Sequence, residues 1–79
     1  MPYIHQNNRE ELLFRPARTP GELNYLFTLA ARSYIDAQGM SYQTINDILG
    51  ALDGCKLEFY RRIAVPYEEQ KRAFNGDVW

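Results

Sequence analysis

Three adjacent residues, Tyr60, Arg61 and Arg62, carry the side chains best suited to hold an anion. A guanidinium fork binds phosphate oxygens in pairs, and a neighbouring phenol can stack beside a base. Lys71 and Arg72 follow in the same region, while Glu58, Glu68 and Glu69 offer the competing outcome of ordinary surface ion pairs. Upstream, Tyr42, Asn46, Asp53 and Tyr60 recur at intervals of four and seven residues, which aligns them on one flank of a helix. Such a column can bind a polar ligand or tie the helix to Asn24 and nearby backbone. Gly50 and Gly54 are four apart on the side opposite the apolar residues, in a sector shared with Gln43, Asp47, Leu57 and Arg61. Each glycine costs about 0.5–1 kcal/mol against alanine inside a helix. Bare backbone at that spacing points to close approach by a second helix or a ligand, against the plainer reading of two tolerated glycines on a wet face.

Catalytic chemistry has little to work with. His5 is the one histidine and Cys55 the one cysteine, so no Cys/His metal site and no intrachain disulfide can form. No serine or cysteine has a histidine and acid partner at useful spacing, and no phosphate-loop glycine pattern occurs. Asp47 and Asp53, six apart, do not share a helix face for a metal, and Cys55 falls in an apolar stripe where a small buried residue fits. The expectation is a non-enzyme with no cofactor.

The elements that position these residues follow from hydrophobic period. Over 41–65, Ile45, Ile48, Leu49, Leu52, Cys55, Phe59 and Ile63 recur every three or four residues, interrupted in the stripe only by Lys56, which predicts a helix over 42–65. Thr19-Pro20-Gly21-Glu22 is a capping box with proline at the first helical position, and predicts a helix over 20–38. Its inward stripe would be Leu23, Leu26, Phe27, Ala30, Tyr34 and Ala37, with Tyr25, Leu29 and Arg32 on the opposite face and Gly39 as the stop. Ser41 is placed to cap the long helix. So short a connection predicts an antiparallel αα-hairpin of rods roughly 28 and 37 Å long. A short helix over 8–14, capped by Asn7 or Asn8 with Glu10 and Glu11 in its first turn, precedes Pro16. Pro66 is expected to end the long helix and open another over 66–74. An extended arm over 1–6, containing Pro2-Tyr3-Ile4, and a tail over 75–79, turning at Asn75-Gly76, complete the chain. The tail's Asp77-Val78-Trp79 can lie extended beside that arm.

Size and charge narrow the partners. The 79 residues make one domain, all-α, with a thin core that a lone chain supplements poorly, so a homo-oligomeric helical bundle is expected. Nine Lys and Arg against ten Asp and Glu give a net charge of −1, far from the basic excess of a duplex nucleic-acid binder. No apolar run spans a bilayer and the amino terminus lacks a signal-peptide pattern, so a cytoplasmic protein with no membrane partner is expected. Six Tyr, four Phe and one Trp argue for an ordered chain.

The chain resembles a family of small uncharacterised proteins of bacteria and their phages. The resemblance lies in Pro2-Tyr3-Ile4, Pro20-Gly21-Glu22-Leu23-Asn24-Tyr25, Tyr42-Gln43-Thr44-Ile45-Asn46-Asp47, Gly50-Ala51-Leu52, Lys56-Leu57-Glu58-Phe59-Tyr60-Arg61-Arg62, Pro66-Tyr67-Glu68 and Asn75-Gly76-Asp77-Val78. The stretch before Thr19 is shorter than in that family, and Trp79 stands where its members carry tyrosine. The family implies no activity. In architecture the chain is also similar to small helical phage proteins that sequester cyclic-nucleotide messengers between subunits. That similarity implies a non-enzymatic sponge for an anionic, nucleotide-like ligand of cyclic-nucleotide or ADP-ribose type. Arg61, Arg62 and Tyr60 would hold charge and base, Gly50 and Gly54 would permit close approach, and Tyr42 and Asn46 would bind the ligand through phenol and amide groups. The alternative is a module that binds a host or virion protein through an exposed helix face.

Overall fold

A computed structural model describes residues 5–79, and every regular element among them is helical. The elements are α1 (Gln6–Glu11), α2 (Pro20–Gln38), α3 (Tyr42–Phe59), a π turn (Tyr60–Ala64) and α4 (Val65–Asn75). The chain divides into two units, Met1–Ile45 and Asn46–Trp79.

In the first unit α1 starts earlier than its sequence suggests. His5 stands at the cap position without a side-chain bond, Asn7 and Asn8 lie inside the helix, and Glu10 and Glu11 fall at its end rather than in its first turn. The Asn8 amide donates to the His5 carbonyl at 2.9 Å, which fixes that start without help from an Asn side chain. After Glu11 the chain tightens, with the Leu13 and Phe14 amides donating to the Glu10 and Glu11 carbonyls at 3.2 and 3.0 Å. These turns bury Leu12, the one buried apolar side chain among the described residues. They also bring the next residue, Arg15, to α2.

The capping box that opens α2 forms by half. Thr19 Oγ1 accepts the Glu22 amide at 3.1 Å, but the Glu22 carboxylate turns to the Arg18 amide, at 2.8 Å, and to Arg15. The expected inward face of α2 holds only in part. Leu26 is half-buried but Leu23, Phe27, Ala30, Tyr34 and Ala37 are exposed, whereas on the opposite face Tyr25 and Leu29 are half-buried and Arg32 is exposed. The cause lies in the N-terminal segment, pinned to the Tyr25 side by the Arg9 guanidinium, 5.6 Å from the ring centre, and by the Arg15–Glu22 pair. Gly39 ends α2 at φ +84°, a conformation that disfavours a side chain, and its amide donates to the Ile35 carbonyl at 2.7 Å. Ser41 then caps α3 by accepting the Thr44 amide on its Oγ at 3.1 Å, with Thr44 buried above it.

In the second unit the helical backbone runs through Pro66 without a break. Ala64 and Val65 keep helical angles, φ/ψ −66/−46° and −63/−51°, although a residue before proline usually avoids them. The π turn accommodates the ring: the Val65 amide reaches back five residues to the Tyr60 carbonyl. Widening the turn in this way relieves the clash with the carbonyl four residues before the proline and absorbs the missing N–H. Gly76, at φ +87°, stops α4. No residue of this unit is buried: Leu52 is 42% exposed and Phe59 61%, and Cys55 is exposed rather than buried as its place in the stripe suggests. Asp77-Val78-Trp79 has no regular structure, and the Trp79 amide donates to Asp77 Oδ1 at 2.9 Å. Pro2-Tyr3-Ile4, which sequence pattern sets in an extended arm, lies outside the described residues.

Candidate functional site

Tyr60, Arg61 and Arg62 make the first half of the π turn, all three exposed. Both guanidiniums hydrogen-bond to one carboxylate, Arg61 to Glu58 Oε2 and Arg62 to Glu58 Oε1. The spacing explains it, since residues three and four apart are neighbours on a helix. One negative charge therefore faces two positive ones, leaving a net single positive charge on exposed side chains. Lys71 and Arg72 do not add to it. The Lys71 ammonium sits 5.5 Å from the centre of the Tyr67 ring, and Arg72 bonds to Glu69 at 2.7 Å and to Asp77 at 3.5 Å. Surface pairing thus engages each of these arginines.

Gly50 and Gly54 face open space: a Cβ built on either meets nothing within 4 Å. Asn46 is exposed on the same helix, and Tyr42, in the first turn of α3, belongs to the N-terminal unit and is also exposed. Because neither glycine is required by its backbone or its surroundings, Gly50→Ala and Gly54→Ala should each raise helix stability by about 0.5–1 kcal/mol. Urea unfolding followed by circular dichroism measures this. A loss of stability in both would mean that a further chain lies against the bare backbone.

The most completely built polar cluster escaped sequence reasoning. Arg15 grips Glu22 with both terminal nitrogens, at 2.9 Å each, and the Arg18 amide adds a third bond to the same carboxylate. Arg15 Nε has the Glu11 carboxylate at 3.5 Å. The bidentate Arg15 bond, followed by the Arg18 amide, holds the Glu22 carboxyl down at about 2. Glu22 in turn raises Arg15. With both oxygens of Glu22 engaged, the cluster fastens the turn between α1 and α2. The capping box signals Glu22; no local pattern reveals that Arg15, seven residues before it, would be its partner.

An open cleft on the second unit is lined by Glu68, Glu69, Arg72, Gly76, Asp77, Val78 and Trp79. Its three carboxylates surround one arginine, which disfavours anions. Among the described residues no group of His, Cys, Asp and Glu side chains could hold a metal ion, and no helix is long and apolar enough to cross a membrane.

Comparison with known families matches residues 1–78 to a domain of unknown function (DUF6899). The chain belongs to that family. No curated protein and no solved structure matches it.

Proposed function

We propose that this chain is a non-enzymatic helical association module, whose α3 presents an apolar face to another protein chain. The observation that carries the reading is that Asn46–Trp79 contains no buried residue, although Leu49, Leu52 and Phe59 recur on α3 at helical spacing. Amphipathic helices draw most of their stability from packing that face, and a stripe left in water gains none of it. A photo-reactive benzophenone residue at position 52, and separately at position 50 on the opposite side, tests the reading in cells. Covalent protein adducts are expected from position 52 and not from position 50. Absence of adducts from position 52 would overturn it.

A second reading, sequestration of a nucleotide-like anion by Tyr60, Arg61 and Arg62, is supported by their position in a π turn. Such irregular turns occur frequently at functional sites. In this reading the chain acts as a homo-oligomeric sponge of the kind phages use against immune messengers, and Gly50 and Gly54 admit the ligand. Calorimetric titration with cyclic di- and trinucleotides and ADP-ribose derivatives should then give heat that Arg61→Ala abolishes. The Glu58 carboxylate, already bonded to both arginines, competes with any such ligand and ranks this reading second.

A further inference from the structure

We propose that Asn75-Gly76 is a self-modification site, where Asn75 converts to aspartate and isoaspartate, and that Arg72 sets the rate by holding the end of α4 closed over the Gly76 amide. The site is independent of whatever covers α3.

The chemistry needs no partner but water. The Gly76 backbone nitrogen attacks Asn75 Cγ. As the new N–Cγ bond closes a succinimide ring, the Cγ–Nδ2 bond breaks, and Nδ2 leaves as ammonia with the proton of the backbone amide. Water then opens the ring at either carbonyl, giving aspartate at one and isoaspartate at the other. Residue type decides where this is fast. Gly76 has no side chain to crowd the attack, whereas Asn7, Asn8, Asn24 and Asn46 are followed by Asn8, Arg9, Tyr25 and Asp47. Asn75 and Gly76 are both exposed, and a Cβ built on Gly76 meets nothing within 4 Å, so water reaches the junction freely.

Against this stands the closed end of α4. Asn75 is the last residue of the helix, and a helical side chain leans toward the N-terminus, away from the amide that follows. The nucleophile is also occupied, since the Gly76 amide donates to the Arg72 carbonyl at 2.9 Å. The Arg72 side chain fastens the same turn from outside. Its guanidinium bonds to Glu69 at 2.7 Å, before the junction, and reaches Asp77 at 3.5 Å, beyond it. Asp77 in turn accepts the Trp79 amide at 2.9 Å. Attack therefore waits for the last turn to open, as helix ends do. The product resists reclosure: its new carboxylate is repelled by the helix dipole and stands two residues before that of Asp77, and isoaspartate lengthens the backbone before Gly76.

Peptide mapping by mass spectrometry tests the proposal on the purified chain, held in mildly alkaline buffer with and without concentrated urea. The amide-to-acid mass gain should accumulate at Asn75 ahead of every other asparagine, and roughly tenfold faster in urea than in the folded chain. Arg72→Ala should speed the folded chain about threefold and leave the rate in urea unchanged. Hydrogen exchange at the Gly76 amide should quicken by the same factor in that variant. No gain at Asn75 in urea removes the site. Equal rates in the two buffers, or an Arg72→Ala chain that reacts no faster when folded, remove the gate. Either result overturns the proposal.

Discussion

Replacing Glu22 by Gln should uncouple the start of α2 from the turn before it and lower the thermal midpoint of the N-terminal unit by roughly 10 °C. The Gln amide keeps the size of the carboxylate but offers one acceptor where three donors converge, from Arg15 twice and from the Arg18 amide. Its NH₂ would face a guanidinium, leaving the half-buried Arg15 with only the Glu11 carboxylate, 3.5 Å from its Nε, as counter-charge. Hydrogen exchange gives the local readout. In the variant, amides of the first turn of α2 should lose protection, while those of α4, in the other unit, should not change. The pH profile carries the same signature. Glu22 has its carboxyl depressed from 4.5 to about 2 by Arg15 and the Arg18 amide. Its contribution is therefore full above the unfolded value near 4.5 and is lost as pH falls toward 2, because in that window the unfolded chain binds the proton more readily. The wild-type midpoint should fall through this window and the Glu22→Gln midpoint should fall less. Parallel profiles would mean that Glu22 does not hold the turn.

The two units were legible in the sequence to different degrees, for physical reasons. Short-range signals carried through: Thr19 and Ser41 cap the helices their positions suggest, Pro20 opens α2, and Gly39 and Gly76 stop α2 and α4 at positive φ. Each of those depends on atoms within four residues. What failed depends on longer reach. The inward face of α2 could not be read from its period, because Leu23, Phe27 and Tyr34 form as good a stripe as Tyr25 and Leu29, and only the Arg9 and Arg15 contacts select between them. The cluster of Tyr60, Arg61 and Arg62 was legible as a set of residue types suited to an anion. Its charge balance was not, since that follows from which rotamer Glu58 adopts toward both arginines.

Pro66→Ala tests whether the π turn is a consequence of the proline or a feature the rest of the chain requires. Proline inside a helix costs up to ~3 kcal/mol against alanine, through a lost donor and a ring clash. The turn at Tyr60–Ala64 absorbs part of that cost, by sending the Val65 amide to the Tyr60 carbonyl. With alanine, residue 66 regains an amide for the carbonyl of Arg62, and the five-residue step has no remaining cause. The expected outcome is a continuous α-helix, more ellipticity at 222 nm and a gain of roughly 1–3 kcal/mol in urea unfolding. Removing the extra residue from the turn also rotates α4 by about 100° relative to α3. Association through Leu49, Leu52 and Phe59 should be unaltered, because the whole face precedes the turn. Binding of a nucleotide-like anion should weaken, because Tyr60, Arg61 and Arg62 would leave the widened backbone that sets their spacing. One variant thus separates the two readings of this helix: tighter folding with unchanged association favours the apolar face, while a lower melting point would mean that contacts of the turn itself, not Pro66, hold it open.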